Sequence, residues 1–418
     1  MLQDKKVLIT GCGGMLGNAV YPFFAYWYDD VLATDKDVNE EWLTYLDIRD
    51  HDEVARIFRE YKPDIVLHLA AETDLEFCET HADITRAVND IATKNIAKLS
   101  EQHGSLLVYI STAGVFDGKK TGFYTEEDQP RPIMVYGETK YAGEIHTLKY
   151  CSRSFVVRAG WMMGGGREKE KKFIYKILKQ IGNGTKEIFA VNDKFGTPTY
   201  TYDFAMNLFL LINTERYGIY HMVCEGKGSR YDVAKEILRI CNRPDIKLTS
   251  VTSDFFAEEY FVPRPYSEML INSNLNRQDL NHMRPWQQAL REYIETLFPD
   301  FIRHDEKTGQ AVTPFPHEDT DIDMASEKRD YPRSRLFTTV EYTMADQAAT
   351  GSDRGQKGVT LNISDGGLCL YTFHPVHPGQ EIRFMDTGDP RIKSRTGEIR
   401  WSSHEKSGLY KAGLQLTG

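Results

Sequence analysis

A chain of 418 residues, 41% hydrophobic and 27% charged, has the composition of a soluble globular protein and exceeds what one hydrophobic core ordinarily supports, so two domains are expected. Its formal net charge of −10 argues against a whole-chain nucleic-acid binder, and no apolar run approaches the ~20 residues of a membrane helix. The N-terminus shows no signal-peptide core, and the six cysteines are scattered without a Cys-x-x-Cys pair. They read as reduced thiols of a cytoplasmic protein, with no disulfide framework and no metal cluster.

Residues 5–10 (Lys-Lys-Val-Leu-Ile-Thr) form a short apolar run that enters Gly11-Cys-Gly-Gly14-Met15-Leu16-Gly17, followed by an apolar helical stretch over 18–28. Strand, glycine turn and helix start together make a pyrophosphate site. Gly11 permits the tight turn, Gly14 the close approach of backbone to ligand, and Gly17 the packing of helix on strand. A second strand over 30–34 ends at Asp35, whose carboxylate suits ribose hydroxyls and repels a 2′-phosphate. NAD is therefore favoured over NADP, although Lys36 could compensate. Asp47 and Ile48 precede a helix over 52–61 and would line the adenine. A third strand over 63–69 runs into Ala70-Ala71-Glu72, small enough at its start to admit a nicotinamide ribose. A helix is expected over 82–103 and a fourth strand over 106–110, leading to Ser111-Thr112-Ala113-Gly114. This alternation specifies an α/β doubly wound parallel sheet of Rossmann type.

Tyr136-Gly-Glu-Thr-Lys140 follows. On a helix, residues four apart share a face, and an ammonium beside a phenol favours the phenolate. With 23 Tyr in the chain, about one Tyr-x-x-x-Lys arises by chance, so the motif draws its meaning from its surroundings. The glycine turn, Ala-Ala-Glu-Thr, Ser-Thr…Val-Phe-Asp-Gly and Tyr-x-x-x-Lys-x-x-x-Glu occur in order over residues 1–299. Together they resemble the extended short-chain dehydrogenases, and most of all the dTDP-4-dehydrorhamnose reductase branch, which acts on sugar nucleotides. Later segments agree, among them Val157-Arg158-Ala-Gly-Trp161 and Arg264-Pro265-Tyr-Ser267.

The resemblance implies a catalytic set of Thr112, Tyr136 and Lys140. Tyr136 would protonate the developing alkoxide, Lys140 would lower the phenol pKa and hold the nicotinamide ribose, and Thr112 would bond the carbonyl oxygen. Gly11, Gly14, Met15, Leu16, Gly17, Asp35, Asp47, Ile48, Ala70, Ala71 and Glu72 would hold the cofactor with Tyr136 and Lys140. Arg158, Asp193, Thr197 and Arg264 are candidate contacts for the nucleotide or sugar, with structural salt-bridge or turn roles as the alternative. The family usually carries Asp-Tyr where this chain has Ala113-Gly114, so the sugar is left open. A non-catalytic NAD(P)-binding scaffold and a nucleotide-sugar epimerase remain as alternatives, and a homodimer is allowed.

After residue 299 the chain carries Asp300, Asp305, Glu306, Glu318, Asp319, Asp321 and Asp323 with little apolar periodicity, and residues 300–326 read as an acidic linker. From 327 short strands are expected over 336–342, 358–362, 367–373, 381–384, 395–402 and 410–416, the pattern of a small antiparallel barrel. Arg329-x-x-x-Arg333 stands before the first, and Asn362-x-Ser364-x-x-Gly367 lies between two of them. The pair resembles the PilZ domain, a receptor for cyclic di-GMP. Two guanidinium forks suit a compact dianion with guanine edges. Asn362 and Ser364 would bond the second guanine, and Gly367 would keep the backbone open.

Overall fold

The computed structural model describes residues 4–303, 334–344, 356–364, 366–372, 375–385, 391–404 and 410–417. They belong to two compact units.

In the first unit, β1 (Lys6–Thr10), β2 (Asp30–Asp35), β3 (Thr44–Tyr45), β4 (Ile65–His68), β5 (Leu106–Thr112), β6 (Ser154–Ala159) and β7 (Gly218–His221) form one parallel sheet. Their order is β7-β6-β5-β4-β1-β2-β3. Every residue of β4, β5 and β6 is buried, as central strands covered on both faces require. The direction of winding reverses between β1 and β4, which opens a crevice at the carboxyl ends of those strands.

Helix α1 (Met15–Trp27) starts directly after Gly14, three residues earlier than the apolar pattern implied. Asp50 caps α2 (His51–Tyr61) by accepting from the Glu53 N–H. The single helix expected over 82–103 is instead three pieces: Ala82–Arg86, a π-helical turn Ala87–Ala92, and α3 (Thr93–His103). The interruption falls on Asn89. Its side chain leaves the helix surface to bond both backbone groups of Glu72, at 2.8 and 3.0 Å, while the Thr93 hydroxyl takes the Asn89 carbonyl at 2.8 Å. π-turns of this kind occur chiefly at functional sites.

Helix α4 (Val135–Tyr150) lies on β5 at very close range. A Cβ at Gly137 would stand 2.2 Å from the Gly114 carbonyl oxygen, and one at Gly143 would stand 2.2 Å from the Tyr109 hydroxyl. Glu144 of the same helix forms a two-pronged ion pair with Arg158 of β6, at 2.9 and 2.7 Å, and also accepts from Ser111. Both partners of that pair are buried. Residues 300–303 pack on this unit, since the Arg303 N–H donates to the Cys241 carbonyl at 3.1 Å and Phe301 covers Gly182. Residues 304–326 of the expected linker lie outside the described residues.

The second unit is a closed antiparallel barrel. Its strands are β8 (Ser334–Met344), β9 (Gln356–Ser364), β10 (Gly367–Thr372), β11 (Glu381–Phe384), β12 (Thr396–His404) and β13 (Tyr410–Thr417). They close in the order β8-β9-β10-β13-β12-β11. Val340, Tyr342, Leu370, Ile382, Phe384 and Leu414 fill its centre. All six strands were legible as period-two runs, within two residues at each end.

Because only hydrogen fits between α4 and Tyr109, Gly143→Ala is expected to destabilise the first unit by about 1–3 kcal/mol. Urea unfolding measures the loss, and adding Tyr109→Phe, which removes the clashing hydroxyl, should recover part of it.

Candidate active site

The carboxyl ends of β1, β4 and β5 open into a cleft of about 1530 Å³. Gly11 has φ +70°, and a Cβ there would lie 2.4 Å from the Ala70 backbone, so the turn sits flush on the end of β4. A Cβ at Gly17 would stand 2.0 Å from the Cys12 carbonyl oxygen; Gly17 works behind the cleft, seating α1 on the turn. Gly14 differs from both. A Cβ there would meet only the Gly11 carbonyl oxygen, at 3.5 Å, so the space it spares faces the cleft. As N-cap of α1 it offers no side-chain cap, and the first turn holds no acid. Backbone N–H groups of a helix start left open in this way suit a pyrophosphate.

Asp35 closes β2 beside this turn and accepts from the N–H of Gly13 at 2.9 Å and of Asp37 at 3.0 Å. Gly13 was not singled out from the sequence, although its place in Gly-Cys-Gly-Gly marks it. Asp47 is held by the Arg49 fork at 2.5 and 3.0 Å. Met15, Leu16, Lys36, Ile48, Ala70, Ala71 and Glu72 line the same half of the cleft. The residues present therefore fit a dinucleotide.

Thr112, Tyr136 and Lys140 converge where this half meets the other. The Thr112 hydroxyl accepts from the Gly114 N–H at 3.1 Å. Burial raises the Tyr136 phenol to about 12, and its hydrogen bond with Thr112 only partly offsets this. Burial also pushes the Lys140 ammonium down to about 7, against the opposing pull of Glu144. That ammonium lies 4.2 Å over the Tyr109 ring. The expected depression of the phenol by Lys140 is thus absent from the resting site, because both groups are desolvated and Lys140 is poised to lose its own charge near neutrality.

Two further residues support the set, and neither was picked out from sequence. His68, buried, has one ring nitrogen 2.8 Å from the Thr10 hydroxyl and the other 3.0 Å from the Thr93 hydroxyl. Burial and the charge of Lys140 press its pKa to about 3, so it is neutral. Asn89 donates to the Thr139 hydroxyl on α4 at 3.3 Å while holding Glu72. An isolated His ending a strand and an Asn inside a helix carry no periodic signal.

In the other half of the cleft the two roles left open for several residues separate. Arg158 is 1% exposed and spends its fork on Glu144, with the Phe116 ring 5.2 Å away; it braces β6 and contacts no ligand space. Asp193 accepts from the N–H and hydroxyl of Ser253, both at 2.9 Å, and Thr197 is buried and accepts from the Leu270 N–H at 3.1 Å. Both are structural. Ala113 and Gly114 are buried beside α4 and do not line the cleft. Arg264 does line it, its Nη2 donating to both Glu76 oxygens at 2.8 and 2.9 Å and its Nη1 to the Val262 carbonyl at 2.7 Å. So do Trp161, Lys172, Phe173, Arg230 and Glu268.

In the barrel, Ser364 pairs with Gly367 across the turn joining β9 to β10, and Arg335 pairs with Asn362 at the start of β8. Strand β8 therefore begins beside the Asn362-Ile-Ser364 segment. Arg329 and Arg333 lie outside the described residues.

Comparison with known proteins agrees with this geometry. The spore coat polysaccharide biosynthesis protein SpsK of Bacillus subtilis is 32% identical over 290 residues, 69% of this chain and 97% of that protein. Methionine adenosyltransferase 2 subunit beta of Danio rerio is 28% identical, over 74% of this chain and 94% of that one. The crystal structure of dTDP-4-dehydrorhamnose reductase from Bacillus anthracis in complex with NADP is 31% identical with a TM-score of 0.64, covering 70% of this chain and all of that one. Residues 327–418 match the PilZ domain. Residues 5–298 match the RmlD substrate binding domain, and the chain belongs to that family, with a PilZ domain at its C-terminal end.

Proposed function

We propose that the first unit is an NAD(P)H-dependent reductase of a nucleotide-linked 4-keto-sugar, and that the PilZ domain binds cyclic di-GMP and regulates it. The observation that carries the first claim is the convergence of Thr112, Tyr136 and Lys140 on a cleft whose other wall is a dinucleotide cradle. The bound dinucleotide supplies hydride to the keto carbon. Tyr136, its phenol protonated throughout the neutral range, donates its proton to the oxygen that becomes an alkoxide. Thr112 accepts from a backbone N–H, which leaves its own proton to donate to that same oxygen. A charged Lys140 stabilises the phenolate that forms and binds a ribose hydroxyl. The likeness to a protein named as a methionine adenosyltransferase subunit favours a second reading, in which the first unit binds NAD(P) without turnover.

NADH oxidation against a panel of nucleotide 4-keto-sugars separates the two readings. Tyr136→Phe is expected to lower kcat/KM by about 10²–10⁴-fold with little effect on NADH affinity; an unaffected rate removes the mechanism. Lys140 acts in its charged form, which dominates below its pKa of about 7. The wild-type kcat/KM should therefore fall as pH rises through that value, by about tenfold per unit.

NAD is the favoured cofactor. Asp35 stands fixed beside the glycine turn, where its carboxylate disfavours a 2′-phosphate, and the Arg49 guanidinium is bonded to Asp47, while Lys36 is the cation set against this reading. The KM for NADH should lie below that for NADPH, and Asp35→Asn should narrow the gap; a lower KM for NADPH in the wild type reverses the assignment.

For the barrel, the reading rests on the PilZ match and on β8 starting beside Asn362–Ser364. Titration calorimetry of the full chain should show cyclic di-GMP binding that Arg329→Ala and Arg333→Ala each weaken at least tenfold. Binding that leaves turnover and NADH affinity unchanged would end the regulatory claim and keep the receptor.

A further inference from the structure

The half of the cleft beyond Tyr136 holds an arginine that the proposed chemistry does not use. Arg230 is the first residue of α5 (Arg230–Ile240). Its guanidinium lies 3.8 Å over the Trp161 ring and 5.1 Å from the Phe173 ring. Trp161 is itself fixed, its indole N–H donating to Glu268 at 2.8 Å. Stacking of this kind restrains the guanidinium while leaving its in-plane donors unspent.

Those donors find no partner among the described residues. Two carboxylates face Arg230 electrostatically, Glu268 and Glu170. Glu268 is bonded to Trp161, and Glu170 accepts from the Lys172 N–H at 2.7 Å. Neither bonds the guanidinium. The other cations nearby are spent differently: Arg264 on Glu76, and Lys194 on the Arg264 carbonyl. Lys172 resembles Arg230 in having no carboxylate on its ammonium. Burial lowers the pKa of both; Glu268 and Glu170 oppose this at Arg230 and Glu170 opposes it at Lys172, each more strongly than the neighbouring cation, Arg264 or Arg230, adds to it. A guanidinium held in a desolvated cleft with its donors unspent is costly alone and is relieved by an anion that takes those donors.

We propose that Arg230, with Lys172, anchors the diphosphate of the nucleotide-linked substrate and so selects for a nucleoside diphosphate over a free sugar. The assignment rests on the reading that the substrate is a sugar nucleotide, and it fixes where the non-reacting end of that substrate is held. Binding energy at a remote phosphate positions the sugar at Tyr136 without taking part in the chemistry.

The test is calorimetric titration of dTDP and of UDP into the full-length protein at saturating NADH, comparing wild type with Arg230→Met, Arg230→Lys and Lys172→Met. Arg230→Met should weaken the tighter nucleoside diphosphate at least tenfold. Arg230→Lys, which keeps charge and loses the fork, should fall between it and wild type. Lys172→Met should weaken binding by a smaller factor, with NADH affinity unchanged in all three variants. The proposal is overturned by an unchanged diphosphate affinity in Arg230→Met, by parallel loss of diphosphate and NADH affinity, or by a wild type that binds neither dTDP nor UDP. None of these readouts needs turnover. A wild type that binds the diphosphate through Arg230 and reduces no keto-sugar would reject the reductase reading while keeping this anchor.

Discussion

The contact between α4 and β5 is closer than side chains allow, and the catalytic geometry depends on it. Gly137 and Gly143 remove the Cβ atoms that would strike the Gly114 carbonyl and the Tyr109 hydroxyl. Tyr136 immediately precedes the first glycine, and Lys140, whose carbonyl accepts from Tyr109 at 3.2 Å, stands between the two. Lifting the helix by one methyl group would move phenol and ammonium together, away from Thr112. The Glu144–Arg158 pair then fixes how the helix is turned about its own axis. Such a buried pair adds little net stability compared with apolar packing, yet breaking it is costly. Its value here is registration of α4 against β5 and β6.

Desolvation sets the charge state of the resting site. His68 is clamped between two hydroxyls and held neutral, and His221, buried beside Arg158, is likewise pushed to about 3. Lys140 is left as a buried cation close to its own midpoint. A phenol near 12 and an ammonium near 7 are badly matched for an internal proton transfer. In the proposed reaction the transfer runs instead from the phenol to the developing alkoxide, with a charged Lys140 stabilising the phenolate left behind.

The cofactor half of the cleft was legible because backbone builds it. Gly11, Gly14 and Gly17 do three different steric jobs at fixed spacing, and Asp35 must end β2 to reach Gly13. Such constraints leave a readable trace in a single chain. Four strands of the parallel sheet, β1, β2, β4 and β5, were legible for the same reason, through short apolar runs bounded by glycine and acids, whereas β3, β6 and β7 were not assigned from sequence. The π-turn at Asn89 was not, since its cause is a side chain reaching Glu72, seventeen positions away in sequence. Arg158 was left undecided because a buried arginine and a ligand-binding arginine look alike in sequence; only the position of Glu144, one turn beyond Lys140, hinted at its partner.

The other half is assembled largely from side chains on elements that follow β6, and its principal side-chain pairs cross long stretches of chain. Trp161 meets Glu268 across 107 positions and Arg264 meets Glu76 across 188. No local pattern encodes such meetings. This division also has a functional side. A fold that fixes its cofactor cradle by backbone geometry can change the loops and helix starts after β6 without disturbing hydride delivery. Residues such as Arg230 and Lys172, whose side chains hydrogen-bond no neighbouring element among the described residues, can under the proposed function be shaped by the substrate alone. Within this chain, the uncommitted cations are therefore a better guide to what it binds than the fold that carries them.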